Sequence, residues 1–137
     1  MQNAKSDPIR ILLVDDNETF LHQVAFNLNH SEDLTVVDAA RTGIEGIEKA
    51  REHQPDIILL DLVMPEMDGF SALPHLKEAS PNAGIIVLSM HEESLYREHA
   101  IKGGATGFVS KGKISTMLLP EIKRVYSLGS EIDESAS

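Results

Sequence analysis

Residues 56–69 read DIILLDLVMPEMDG, and this stretch decides the fold class. It opens with the apolar run DIILL, which is far too short to cross a bilayer and is typical of a strand covered on both faces. Asp61 follows this run directly, and a helical pattern predicts a helix from about Gly69 to Ala79. The stretch therefore indicates a buried strand that ends in a carboxylate and leads into a helix.

Four further runs of the same kind lie on either side of it. With the central run, the predicted strands are Ile9–Val14, Leu34–Ala39, Asp56–Leu60, Gly84–Ser89 and Thr106–Ser110. They alternate with segments of helical period, which is typical of repeated βαβ units. We therefore predict an α/β protein with a doubly wound, five-stranded parallel sheet and helices on both faces.

The predicted helices have recognisable ends. The first follows Asn17, the second opens with Thr42 and Glu45 in the spacing of a capping box, and the fourth runs from about Glu93 to Lys102. The fifth is expected to reach about Leu128 and to end at Gly129.

Two prolines complicate the helices. Pro74 falls inside the third helix, where a kink or a late start is expected, because proline lacks an N–H and clashes one turn back. Ser115–Leu119 is expected to be a separate turn, with Pro120 at the first position of the main fifth helix.

Composition narrows the class of protein. A chain of 137 residues with 42% hydrophobic residues fits one domain, predicted over residues 8–129, followed by a polar tail or the start of a linker over 130–137. A net charge of −10 argues against direct nucleic-acid binding. There is no cysteine, and the first residues do not resemble a signal peptide. A cytoplasmic protein without membrane contact is expected.

Polar side chains occur at the ends of four predicted strands. They are Asp15 and Asp16 after the first, Asp61 after the third, Ser89 at the end of the fourth and Lys111 after the fifth. In a doubly wound sheet, functional groups collect at the carboxyl ends of the strands, where the strand order reverses. If the order is 2-1-3-4-5, the first and third strands are neighbours, and three carboxylates converge there.

These residue types suit phosphoryl transfer. Carboxylates at close range repel one another, and the arrangement is tolerable only if a cation lies among them or if their pKa values rise; an all-oxygen set suits Mg²⁺. An aspartate can attack phosphorus to give an acyl phosphate, and Lys111 can stabilise the charge. The hydroxyl of Ser89 can donate a hydrogen bond to a phosphoryl oxygen. Taken singly, each aspartate is an ordinary turn former and Phe108 an ordinary core residue, so the prediction depends on their joint placement.

Four motifs in this order resemble the response regulator receiver family. They are ILLVDDNE from Ile11, DIILLDLVMPEMDG from Asp56, IIVLSMHEE from Ile85 and GATGFVSK from Gly104. The resemblance spans about Ile9 to Leu128 and is strongest to receivers that precede LuxR-type helix-turn-helix domains. It implies a flavodoxin-like fold of strand order 2-1-3-4-5.

The resemblance also implies roles for the site residues. A sensor histidine kinase would phosphorylate Asp61, and Mg²⁺ would be held by Asp16, Asp61 and the main-chain carbonyl of Val63, with Asp15 acting through a coordinated water. Lys111 would pair with the phosphate. Ser89 and Phe108 would form a switch pair.

On this interpretation the chain is not an enzyme in the usual sense, since it catalyses only its own phosphoryl transfer and dephosphorylation. Its output would be an altered partner surface, including a homodimer formed on phosphorylation, and control of transcription through an effector domain absent from this chain.

Two other functions fit parts of the pattern. A Mg²⁺-dependent phosphohydrolase of the haloacid dehalogenase kind also uses strand-end carboxylates, but its nucleophile lies in a D-x-D motif after the first strand, whereas here that strand ends in Asp15-Asp16-Asn17. A receiver-like interaction module that no longer needs phosphate is the second alternative.

Overall fold

Five strands form one parallel sheet, in the order β2-β1-β3-β4-β5. The computed structural model describes residues 7–62, 69–90 and 94–136. The strands are β1 (Ile9–Val14), β2 (Leu34–Ala40), β3 (Ile57–Asp61), β4 (Gly84–Ser89) and β5 (Gly107–Ser110). The predicted doubly wound sheet and its strand order are confirmed.

Five α-helices connect and follow the strands. They are α1 (Glu18–Asn29), α2 (Gly43–His53), α3 (Gly69–Ala79), α4 (Ser94–Lys102) and α5 (Ile114–Ala136), the last preceded by a short 3-10 turn at Lys111–Lys113. The Asn17 side chain caps α1 by accepting from the Phe20 N–H, and Thr42 caps α2 by accepting from the Glu45 N–H. The Glu45 carboxylate reaches back to the Arg41 N–H rather than to that of Thr42, so the predicted capping box is present in a shifted form.

The core lies on both faces of the sheet. Along β1, Ile11 and Leu13 belong to a cluster with α1 and α5, while Leu12 and Val14 belong to a second cluster with α2, α3 and α4. Each fully buried aliphatic side chain of this kind stabilises the fold by about 1.5–3 kcal/mol. This two-sided burial explains why β1, β3 and β4 are nearly continuous apolar runs.

The predictions for the prolines and for the end of α5 need correction. Pro120 lies inside α5 rather than at its first position, and Ser115–Leu119 is part of the same helix. Proline has no N–H, so Pro120 cannot donate the helical hydrogen bond to the carbonyl of Thr116. Both residues are exposed, so water can bond this carbonyl instead. Pro74 lies within α3, which occupies its predicted range, and is also exposed.

The helix also continues past Gly129 to Ala136, where an end was predicted. Within the described chain Gly104 is the only glycine with a positive φ, so Gly129 does not adopt the left-handed conformation that would end the helix. A helical glycine lowers stability by about 1 kcal/mol relative to alanine but is not an obligatory stop.

No helix in the described part of the chain combines the length and the apolar character that a bilayer span requires.

Candidate functional site

Three carboxylates meet at the carboxyl edge of the sheet. Asp61 is the last residue of β3, and Asp15 and Asp16 follow the neighbouring strand β1. One oxygen from each of Asp15, Asp16 and Asp61 lies within 4.8 Å of the others. We call these three residues the acidic cluster. The predicted convergence of the strand ends is therefore present in the fold.

Asp15 is held by the backbone around it. Its N–H donates to the Ala40 carbonyl at the end of β2 over 3.0 Å, and its Oδ1 accepts from the Asn17 N–H over 2.9 Å. Asp15 and Asp61 are buried, whereas Asp16 is exposed. The sheet therefore holds Asp15 and Asp61 in place, and the acidic cluster is accessible to solvent at Asp16.

Lys111 brings a positive charge into the acidic cluster. Its Nζ donates to Asp15 Oδ2 over 2.8 Å and lies 3.3 Å from Asp61 Oδ1. The lysine side chain is only 13% exposed. The ammonium therefore joins the ends of β1, β3 and β5 across a site where unpaired buried charge would be costly.

An aromatic ring completes the surroundings of Lys111, and the sequence-based reasoning missed it. The Nζ atom lies 4.3 Å from the centroid of the Phe20 ring, which is half-buried on the first turn of α1. Its position three residues after the N-cap Asn17 puts Phe20 on the first turn of α1, but this spacing does not determine where the ring points, so no sequence signal marks the contact.

Ser89 and Phe108 lie on the same face of the sheet. Phe108 pairs with Val87 and Ser110 with Ser89, and paired residues on neighbouring strands point the same way. Ser89 is buried at the end of β4, and Phe108 packs into the cluster with α2, α3 and α4. The structure thus brings Ser89 to the edge where the acidic cluster lies and Phe108 below it. Val63 lies outside the described residues.

Phe108 is also tied to the helices on either side of β5. The Arg97 guanidinium carbon of α4 lies 5.3 Å from the Phe108 ring centroid. The Phe108 N–H donates to Glu121 Oε2 of α5 over 3.3 Å. Hydrogen bonds from Arg124 lower the pKa of Glu121 below its ordinary value.

The acidic cluster fits a hard divalent cation. Its donors are carboxylate oxygens on a partly solvent-open edge, and one ammonium does not balance three carboxylates. Among the described residues, this is the one group of three acidic or histidine side chains whose ligand atoms lie close enough to hold a metal ion. The residues present can therefore bind a metal.

Comparisons with known proteins agree on one family. The sequence model of the response regulator receiver domain matches residues 11–122. The oxygen regulatory protein NreC of Staphylococcus carnosus is 31% identical over 126 residues, which is 91% of this chain and 58% of that protein. The response regulator protein VraR of Staphylococcus saprophyticus is 32% identical over 120 residues, which is 88% of this chain and 57% of that protein. The chain thus spans somewhat more than half the length of these relatives.

Solved structures give the same result. A LuxR-family two-component response regulator from Aurantimonas superposes with a TM-score of 0.83 at 28% identity, over 88% of this chain and 86% of that one. The complex of CheX and CheY with BeF3 and Mg²⁺ from Borrelia burgdorferi gives 0.79 at 29% identity, over 87% and 90%.

The fold and the site together define a class of protein. It is a doubly wound domain in which carboxylates and a lysine lie together at the edge of the sheet, at the point where the strand order reverses. The chain belongs to the response regulator receiver domain family, the phosphorylated signalling domains of two-component systems. This confirms the family inferred from the four sequence motifs.

Proposed function

We propose that Asp61 is the residue that accepts the phosphoryl group, from a sensor histidine kinase in the cytoplasm, and that the modified domain presents an altered binding surface. The observation that carries this proposal is the position of Asp61 at the end of β3, with Lys111 Nζ 3.3 Å from its Oδ1 and the other two carboxylates beside it.

The chemistry requires a nucleophile and charge stabilisation. A carboxylate oxygen of Asp61 attacks the phosphorus, an O–P bond forms, and the bond from phosphorus to the donor nitrogen breaks with its electron pair going to the imidazole. The product is an acyl phosphate. Attack of water on the phosphorus later releases inorganic phosphate and restores Asp61, so the domain catalyses only its own modification and demodification.

The neighbouring residues take distinct roles. Lys111 neutralises charge on the phosphoryl oxygens, and Asp15, Asp16, Asp61 and the main-chain carbonyl of Val63 would hold Mg²⁺, with Asp15 acting through a coordinated water. The bound ion would supply electrostatic stabilisation of the charge on the transferring group. A related chain from Borrelia burgdorferi was solved together with Mg²⁺, which supports this choice of metal.

Ser89 and Phe108 would report the modification to the surface. The Ser89 hydroxyl donates to a phosphoryl oxygen, and the ring of Phe108 follows inward on the same sheet face. That movement changes the contact of the Phe108 ring with Arg97 on α4, next to the point where the Phe108 N–H bonds Glu121 on α5. The consequence is a changed surface on α4, β5 and α5, suited to homodimer formation.

The downstream output we propose is transcriptional control through an effector domain that is not part of this chain. NreC is named an oxygen regulatory protein, and the Aurantimonas structure is of a LuxR-family regulator. The net charge of −10 supports a role in which this domain itself does not contact nucleic acid.

Incubation with Mg²⁺ and acetyl phosphate tests the phosphoacceptor. Wild-type protein is expected to gain an acid-stable, base-labile phosphoryl adduct by intact mass, since acyl phosphates hydrolyse readily in base. Asp61→Asn is expected to gain none, because an amide is not a nucleophile for this reaction. Asp33→Asn, at an exposed aspartate paired with Lys123, is the matched control and should behave as wild type.

The outcome against the proposal is an adduct that persists in Asp61→Asn, or no adduct in wild type. Wild-type partner binding by Asp61→Asn would instead indicate a phosphate-independent interaction module.

A further inference from the structure

The Phe20 ring contacts the same Lys111 ammonium that bonds the carboxylates of the acidic cluster. The ring centroid lies 4.3 Å from Nζ, while the same atom bonds Asp15 Oδ2 at 2.8 Å. A cation at this distance over an aromatic face is attracted by the electron density of the ring, and the attraction is stronger where water is largely excluded. With its side chain 13% exposed, Lys111 meets that condition.

The contact is part of a closed chain of interactions. The Asn17 N–H donates to Asp15 Oδ1, and the Phe20 N–H donates to Asn17 Oδ1, each over 2.9 Å. Asp15 Oδ2 in turn accepts from Lys111. The helix cap therefore links the backbone of Phe20 to the same carboxylate that the lysine bonds, so the ammonium has two partners, the Asp15 carboxylate and the Phe20 ring, that are joined through Asn17.

A purely structural role for Phe20 does not account for this arrangement. The side chain does pack against the cluster between α1 and the sheet, where leucine would serve equally well. However, the ring is half-buried rather than enclosed, and its centroid lies close to a charged group. The structure offers a comparison on the same helix, since Phe26 is 66% exposed and makes an edge contact with His30 instead.

We propose that Phe20 is a positioning residue for the reaction at Asp61, which acts through Lys111. This inference rests on the proposed function. In the unmodified domain, Lys111 bonds Asp15 and lies close to Asp61; when a phosphoryl group arrives, the ammonium must shift toward its oxygens. As the ammonium moves, its bond to Asp15 lengthens while the broad face of the ring stays within reach, so the cation–π contact contributes more in the shifted position than in the resting one and lowers the barrier to transfer.

Ring fluorination at position 20 tests the proposal in the full chain. Phenylalanine analogues with one, two and three ring fluorines keep the shape of the ring while progressively withdrawing its π density. The rate of adduct formation with Mg²⁺ and acetyl phosphate, followed by intact mass, is expected to fall stepwise to about a third to a tenth of the wild-type value, as loss of a partly buried cation–π contact predicts. Phe20→Leu should match the most fluorinated protein.

The same fluorinated series at Phe26 is the matched control and should leave the rate unchanged. A stepwise fall confined to position 20, in proteins that remain folded at the assay temperature, supports the inference. A flat rate series at position 20 in a protein that is phosphorylated normally overturns it. Absence of any adduct in wild type would instead overturn the proposed function, and the inference with it.

Discussion

At the scale of single residues, Lys111 is the side chain on which the electrostatics of the site depend. Among the residues that the structure describes, Lys111 is the cation that bonds within the acidic cluster. Its two carboxylate partners, Asp15 and Asp61, are nearly inaccessible to water. Buried carboxylates without a cation would repel each other and lose hydration that nothing replaces. The folded chain therefore carries its own counterion, and a divalent metal adds to this charge instead of supplying all of it.

Replacement of this lysine should expose that dependence. Lys111→Met is expected to lower the free energy of unfolding by about 3 kcal/mol without divalent cations, because the buried Asp15 side chain loses its counterion. Mg²⁺ should restore part of the loss. Urea titrations with and without Mg²⁺ measure both effects.

Lys123→Met is the matched control, since the Lys123 ion pair with Asp33 is exposed and worth well under about 1 kcal/mol. Equal losses in the two variants, or a loss at Lys111 that Mg²⁺ does not reduce, would contradict the electrostatic account.

Sequence reasoning identified the charged members of the site but not the ring beside them. Asp15, Asp61 and Lys111 stand at strand ends, and topology alone brings strand ends together. The contact of Phe20 depends instead on the rotation of α1 about its axis and on the conformation of a long lysine side chain. Neither is encoded in a local pattern, so the sequence could locate the chemistry without locating its support.

At the scale of secondary-structure elements, β2 and α2 are joined by a polar network away from the site. Asp38 of β2 accepts hydrogen bonds from Lys49 at 3.0 Å and contacts His53 Nε2 at 2.9 Å, both on α2. Burial alone would raise the pKa of Asp38, but the Ala39 N–H, Lys49 and His53 together lower it below its ordinary value of 3.8. The charged form of Asp38 therefore stabilises the packing of α2 on the edge strand.

This network should give a defined pH dependence. Since the pKa of Asp38 is lower in the folded chain, its contribution is complete above about pH 5 and is lost as the pH falls through the folded-state value, below the ordinary 3.8. Asp38→Asn is expected to cost about 1 kcal/mol at pH 7 and less at pH 3, because the contribution of the charge declines below the ordinary pKa of 3.8. Urea titrations at both pH values measure the difference.

Asp33→Asn again serves for comparison, because its exposed ion pair should contribute little at either pH. A cost of Asp38→Asn that is the same at pH 3 and pH 7 would mean that the carboxylate charge is not what joins the two elements.

The elements also show where sequence patterns mislead. Strand order and most helix bounds follow from apolar runs and caps, because these reflect the burial of apolar surface, which drives folding more strongly than any local preference. Pro120 and Gly129 were given too much weight as helix boundaries. Each of the two residues does lower the stability of a helix. However, water can bond the exposed carbonyl one turn before Pro120. In addition, Ile122 and Val125, which lie between Pro120 and Gly129, are buried against the sheet and hold α5 there.

At the scale of the whole molecule, the proposed output is a change of assembly. Beryllofluoride, which adds to carboxylates in a phosphoryl-like form, is expected to shift the wild-type chain toward a dimer in the presence of Mg²⁺. Light scattering after size-exclusion chromatography measures the mass. Asp61→Asn should remain at the untreated mass, because the added group has no site. Identical masses for treated and untreated wild type would remove dimerisation from the proposed function.

The bond between Lys111 and Asp15 joins residues 96 positions apart in the chain. Lys111 follows β5, whereas its partner Asp15 follows β1, so the charge arrangement at the site exists only when β5 is docked beside β4 and β3 lies between β1 and β4. A chain in which β5 is not docked has not placed Lys111 beside Asp15 and Asp61, and it lacks the charge arrangement on which the proposed phosphoryl transfer depends.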